Sequence, residues 1–474
     1  MKRGHIIASL LVALWSCSDD GGQAVDGRPA DGGIDGPVAD GPAPEVTPII
    51  DGVFDEWKGV AVLATDPAGD ASGPFDVTEL RAIGRGTKVY LCFDAGQTLN
   101  AAAGPAGQGS LLIDVAAGSR RLTVDLRQHA AYLDGDPTKA LRWSEIDYNL
   151  APTYADQRFE VRLDVARLGV KQGDTVTVDF AGSDALAAPA SLTLGAPDPA
   201  TATRSAERLS GTTFRVASLN VLVDGLTDPG RGPAIGRLLA AVAADVYCFQ
   251  EVLNGTAAEI EAGLRSIDPL GDGGAWTAHR FSDAVVVTRG ALTPLPGQAG
   301  QRFAGAALDL GGSKVVVYSL HLVSRGYAGS AEDQERIAEV KALVAAIKEL
   351  RDGKLGASLD PWRQAPLIVV GDWNLVGSRT PLDLVEDKAG PALEHWMVSH
   401  LRGDDVFTWY DDVLGQFPPG MLDLLVHGAG LSRKNGFVLD STELDSATLT
   451  QLKLQEKDSR TTDHLMIVAD FAEQ

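Results

Sequence analysis

The 474-residue chain predicts two folded bodies in series. The first is a mainly-β sandwich over 47–195, and the second is an α/β body over 213–474. Three observations carry this. Short β-branched and aromatic runs, separated by Gly, Asp and Pro turns, fill the first region with little helical periodicity. From Phe214 apolar strands alternate with helical segments, the pattern of an α/β arrangement. Two stretches with little to bury, 18–46 and 196–212, mark the borders and read as linkers.

Hydrophobic content of 45% and charged content of 22% are ordinary for globular protein. The net charge of −23 is not. It is spread over both bodies and argues against a surface that grips phosphate backbones without specificity. Of three cysteines, Cys92 and Cys248 sit inside apolar strand-like runs in different bodies. Both read as small buried hydrophobes rather than a disulfide, and no spacing suggests zinc.

In chain order, Lys2 and Arg3 precede an apolar run from Ile6 to Trp15, then Ser16 and Cys17. A basic start and a short apolar core predict a secretory signal over 1–17, too short for a permanent span. Leu14-Trp15-Ser16-Cys17 resembles the lipobox of bacterial lipoproteins, which implies lipidation of Cys17. Ser18 next to it favours the outer membrane, with plain secretion as the alternative location. The acidic 18–46 stretch would then tether a folded body away from the bilayer.

In the first body, strands are predicted at 88–93, 110–114, 121–124, 158–163 and 175–178. Ile50-Asp51-Gly52, Glu56-Trp57, Asp76-Val77 and Leu80 resemble the sandwich of family 9-like carbohydrate-binding modules. That resemblance implies an accessory domain with a glycan as candidate ligand. Trp57 is either a sugar platform or, more in keeping with its type, a core residue.

In the second body, strands are predicted at 214–219, 245–249, 284–288, 314–320, 367–370, 421–426 and 464–471, and helices at 235–243 and after Ser330. Ser330 with Asp333 predicts the N-cap of the long helix. Leu367-Ile368-Val369-Val370 reads as a strand buried on both faces. It breaks at Gly371 and delivers Asp372 and Asn374 on one side, with Trp373 turned into packing. Polar residues close strand after strand: Asn220, Glu251, His321, Asp372 and Asn374. Asp423 interrupts one strand, and Asp463-His464 opens the last. Sites in sheet proteins gather at strand ends, so this recurrence predicts a site.

Ser218-Leu219-Asn220, Phe249-Gln250-Glu251, Ser319-Leu320-His321-Leu322, Gly371-Asp372-Trp373-Asn374, Leu422-Asp423 and Thr462-Asp463-His464 together resemble the ordered motifs of the endonuclease/exonuclease/phosphatase superfamily. The resemblance covers 213–472. It implies a four-layer α/β/β/α sandwich and a Mg²⁺- or Mn²⁺-dependent hydrolase acting on phosphate esters. Glu251 is then the principal metal ligand, with Asn220 and Asp463 in support. Catalysis falls to His464, Asp423, Asp372, Asn374 and His321. An Asp423–His464 pair activating water is the favoured arrangement. In the other, Asp372 takes the proton and His464 holds a phosphate oxygen. Asn374 would bond the nucleophile or the phosphorane, and His321 a phosphate oxygen or the leaving group.

The expected partner is a phosphate ester, nucleic acid or phospholipid, met by a monomer held at the membrane by its lipid. Nuclease-type phosphodiester hydrolysis is the leading expectation. A phospholipid or sphingomyelin phosphodiesterase, or a phosphomonoesterase, is the alternative. A catalytically inactive surface binding protein is the reading from another class, and it predicts missing catalytic residues, whereas the set is complete. Residues 403–420, with Phe407, Trp409, Tyr410 and Phe417, are the predicted specificity loop. Arginines lining a groove near Asp372 would favour nucleic acid, and exposed aromatics beside the site would favour lipid.

Overall fold

Along Thr175–Gly182 burial alternates residue by residue, the mark of a strand with one face in a core and one toward water. Phe214–Asn220, Val246–Gln250, Ala284–Thr288, Leu367–Asp372 and Asp423–His427 are instead buried at every residue. That contrast separates the two bodies. The computed structural model describes residues 47–199, 203–268, 270, 274–298, 300–390 and 392–473. The predicted signal, Cys17 and the whole 18–46 stretch lie outside them.

The first body is two antiparallel sheets face to face. One orders Val62–Thr65, Glu79–Arg85, Lys88–Leu99, Asp156–Asp164 and Asn149–Ala151. The other orders Ala190–Thr193, Thr175–Gly182, Leu111–Ala117, Arg120–Asp125, Ala130–Leu133 and Ala140–Leu141. Phe93, Phe159 and Phe180 meet between them, with Phe93 and Phe180 ring centroids 5.2 Å apart. Trp57 is 1% exposed and donates its Nε1–H to buried Glu160 at 2.8 Å. It is a core residue and offers no face to a sugar.

The second body has four layers. Two six-stranded sheets pack face to face through Val216, Cys248, Ala306, Val317, Val370 and Ile467. Helices Gly232–Val242 and Ala257–Ile267 cover one sheet, and Ala331–Arg351 and Thr380–Lys388 the other. Strands enclosed on both sides need no polar face, which explains their unbroken apolar runs. Each sheet holds one parallel pair: Phe214–Asn220 with Val246–Gln250, and Ser313–His321 with Leu367–Asp372. Ser330 caps the long helix, its Oγ accepting from Asp333 N–H. Val340, Leu343, Ile347 and Leu350 face the core.

Residues 204–212 are not a free tether. Arg204 donates from its backbone to Leu401 O and from its guanidinium to His400 O, both at 2.9 Å. No helix among the described residues is long and apolar enough to cross a membrane.

Candidate active site

Strand register assembles half of the site. His321 lies opposite Asp372, and Asp372 opposite Asp423, across three adjacent strands of one sheet. On the facing sheet Asn220 closes its strand beside Gln250, and Glu251 follows. Gly371 makes the crossing possible. Its φ is +143°, and a Cβ there would sit 2.2 Å from Leu320 O, so any side chain would clash with backbone.

Asp372 is the hub. Its Oδ2 accepts from Asn220 Nδ2 at 3.1 Å and Asn374 Nδ2 at 3.0 Å, and its Oδ1 accepts from Asn374 N–H at 2.9 Å. The Nε2 atoms of His321 and His464 each lie 3.6 Å from Oδ2. Glu251 Oε1 is 3.1 Å from Asn220 Nδ2 and 4.0 Å from His321 Nε2. Trp373 turns away, buried, with Nε1–H on Leu424 O. Glu251 at φ +61° and Arg325 at φ +72° hold left-handed backbone on the pocket rim, a conformation their side chains disfavour and binding sites often carry.

The ring nitrogens are fixed from behind. His464 Nδ1 meets Asp423 Oδ2 at 2.7 Å, and His321 Nδ1 meets Asp283 Oδ2 at 2.6 Å. Each pair turns Nε2 toward Asp372. Burial alone would favour a neutral His464 ring. Asp423 and Asp372 outweigh it and push its pKa up to about 10. His321 is raised in the same way, by Asp283 and Asp372 against burial. Burial raises the Asp372 carboxyl, with the two histidines countering.

The predicted set thus converges on one cavity. Both Asn220 amide hydrogens go to Glu251 and Asp372, and its Oδ1 accepts from Leu222 N–H at 3.0 Å. Asn220 is 0% exposed and bridges the Glu251 and Asp372 carboxylates. Both Asn374 amide hydrogens go to Leu322 O and Asp372, which leaves Oδ1 as an acceptor for water rather than a donor to a phosphorane. Asp463 lines the cavity. Its Oδ2 accepts from Trp409 Nε1 at 3.2 Å, while Oδ1 is buried without a partner.

Spacing alone did not reveal Asp283 or Arg302. Asp283 stands at the start of the apolar Ala284–Thr288 strand, so the polar strand-end regularity that finds the others extends to it. Arg302 Nε donates to His321 O at 3.0 Å and Nη2 lies 3.8 Å from Asp283. Of the arginines near the motifs, Arg325 lines the cavity, whereas Arg336 is buried beneath it on Val323 O and Arg325 O. Arg379 pairs with Asp383 and Glu386.

A second His/Asp/Glu cluster lies outside this cavity. His400, Asp440 and Glu443 bring ligand atoms within 4.8 Å of one another, a spacing a metal ion can use. Its atoms are engaged: His400 Nδ1 on Glu443 at 2.9 Å, Nε2 on Phe407 O at 2.8 Å, and Asp440 on Arg460 and Ser459. Burial opposes the His400 imidazolium, but Glu443 outweighs it and pushes the pKa up to about 9. An unfolded His titrates near about 6.5. The stabilisation is therefore complete below that pH and lost as pH rises toward 9, at most about 3 kcal/mol. Melting temperature should fall across this window, and His400→Gln should remove part of the fall. An unchanged slope in the variant would show that His400 carries no such charge.

The sequence profile of the Endonuclease/Exonuclease/phosphatase family matches residues 217–464, more than half of the chain. A search of curated proteins finds no match. Among solved structures, TDP2 of D. rerio complexed with single strand DNA product is 15% identical, covering 54% of this chain and 98% of that one at a TM-score of 0.37. The human Nocturnin catalytic domain with bound sulfate anion is 17% identical, covering 55% and 94%, at 0.34. An endonuclease/exonuclease/phosphatase from Bacteroides vulgatus is 14% identical, covering 55% and 99%, at 0.37. With the profile spanning all the strand-end residues from Asn220 to His464, the chain belongs to the Endonuclease/Exonuclease/phosphatase family.

Proposed function

We propose that the protein is a metal-dependent phosphoesterase that hydrolyses phosphodiesters by in-line attack of water. The observation that carries this is the convergence of Asn220, Asn374, His321 and His464 on one buried carboxylate, Asp372, beside Glu251. The residues fit a hard divalent cation. Glu251, Asp372 and Asp463 bring carboxylates to one cavity, and Asp463 Oδ1 is orphaned there. Glu251 and Asp463 would hold Mg²⁺ or Mn²⁺, which when bound neutralises phosphate charge and makes phosphorus more electrophilic.

The chain's own residues supply the proton chemistry. His464 keeps its proton at neutral pH and His321 is shifted in the same direction, so their Nε2 atoms are placed to donate to phosphate oxygens or to the departing oxygen. Asp372, raised by burial, is the acceptor for the proton water loses as its oxygen bonds phosphorus. Asn374 Oδ1 orients that water. This favours Asp372 over His464 as the base.

A phospholipid substrate is the second reading. Val413, Leu414 and Phe417 are exposed on the 403–420 loop, and Phe417 borders the cavity. A lipidated Cys17, an envelope location and a tether over 18–46 would bring the protein to a membrane. These remain proposals resting on the N-terminal sequence. A glycan ligand for the sandwich gains nothing from Trp57.

The test uses full-length protein with Mg²⁺, with and without chelator, on bis(p-nitrophenyl) phosphate and on supercoiled plasmid. Turnover should need the metal and fall about 100-fold or more in His464→Gln. Chelator-resistant turnover, or a wild-type rate in the variant, would remove the assignment.

A further inference from the structure

The cavity beside Asp372 has a volume of about 580 Å³ and is walled by both bodies. Ala102, Ala103 and Leu150 of the sandwich face it. So do Phe417 and Pro418 of the 403–420 loop. The same cavity is thus lined by the polar cluster and by these apolar side chains.

The wall is held by buried polar ties. Asn100, 4% exposed, donates its Nδ2 hydrogens to Val376 O and Gly377 O at 2.9 and 3.0 Å and accepts from Ala328 N–H at 2.7 Å. Thr153 Oγ donates to Leu375 O at 3.0 Å, on the residue that follows Asn374. The sandwich also grips the loop. Trp143 Nε1 donates to Gln416 O at 3.0 Å, Ser144 Oγ to Asp412 at 2.6 Å, and the His129 ring lies 3.9 Å from that of Phe417. At its base the loop is closed by paired hydrogen bonds between Trp409 and Gly420, and Trp409 also bridges to His464. The sandwich therefore sets the loop that borders the reacting end.

We propose that the sandwich is part of the active site, and that its wall with Phe417 forms an apolar subsite for one compact apolar or aromatic substituent of a phosphate ester. This rests on the phosphoesterase reading and names the class of substrate within it. The volume is that of a small-molecule site. A duplex needs an open groove with cationic rims. Among the described residues, Arg302 and Arg325 are the only Lys or Arg side chains lining the cavity, on a chain of net charge −23. The substituent could belong to a lipid or to a soluble diester, and the wall would recognise either.

The test compares phenyl p-nitrophenyl phosphate with methyl p-nitrophenyl phosphate, which share a leaving group, on the full chain with Mg²⁺. Burying the phenyl ring should give it a kcat/KM about 30-fold higher. Ala103→Trp, which fills the subsite, and Phe417→Ser, which opens it, should each bring the ratio below about threefold. A ratio near one in wild type, a ratio unmoved in both folded variants, or plasmid nicking faster than phenyl-diester turnover would overturn the subsite. No metal-dependent turnover of either diester would overturn the phosphoesterase reading itself. Sphingomyelin vesicles identify the source. Ala103→Trp-sensitive phosphocholine release supports the subsite with a lipid substituent, and release confined to the soluble diesters supports it with a free one.

Discussion

Asp372→Asn should reduce metal-dependent phosphodiester hydrolysis by about 1,000-fold or more. The side chain keeps its shape but can no longer take a proton. Stability should change little, by less than about 5 °C in melting temperature. One hydrogen bond from Asn220 or Asn374 is lost, and the cost of a buried charge is lost with it. A second readout separates charge from shape. With Asp423 and Asp463, Asp372 is one of three carboxylates that hold the proton on His464, so His464 should titrate below its raised value of about 10 in the variant. NMR titration of the ring checks this. A variant that turns over within tenfold of wild type would remove Asp372 from the chemistry.

Arg162→Met should cost about 3–5 kcal/mol of stability. Arg162 is 8% exposed on the sandwich strand Asp156–Asp164, and its guanidinium binds both carboxylate oxygens of Asp405, near the start of the 403–420 loop. Arg162 and His400 hold the Asp405 carboxyl below its ordinary range although burial acts to raise it. Removing the cation leaves that carboxylate without its partner. Adding Asp405→Asn to Arg162→Met should recover part of the loss, as a double-mutant cycle measures. A loss under about 1 kcal/mol would place the pair with ordinary surface ion pairs.

The site was legible where chemistry and strand pattern coincide. Asp372 and Asn374 follow an apolar strand buried on both faces, and register then sets His321 and Asp423 beside Asp372. Roles were less legible than positions. Whether Asn220 faces a ligand or aligns two carboxylates depends on where its two amide hydrogens go. Spacing along a chain says nothing about that. Two strands carry little signal of their own. Phe303–Leu310 is rich in Ala and Gly, and forms because Ser313–His321 pairs along its whole length. Leu431–Leu439 contains Asn435-Gly436, a turn signal in isolation. Here it sits beside a bulge, with Gly436 under the Trp396 ring. The sandwich wall was hidden for a topological reason. The tie from Asn100 to Gly377 spans 277 residues, and no local pattern encodes it.

Mn²⁺ binding tests the central claim most directly. It would be followed by electron paramagnetic resonance in wild type, Glu251→Gln and Glu443→Gln, with diester turnover measured in the same samples. The account predicts that Glu251→Gln weakens binding by about tenfold or more and lowers turnover with it, while Glu443→Gln binds as wild type does. Binding unchanged in Glu251→Gln and lost in Glu443→Gln would contradict it, and would move the metal to the His400 cluster.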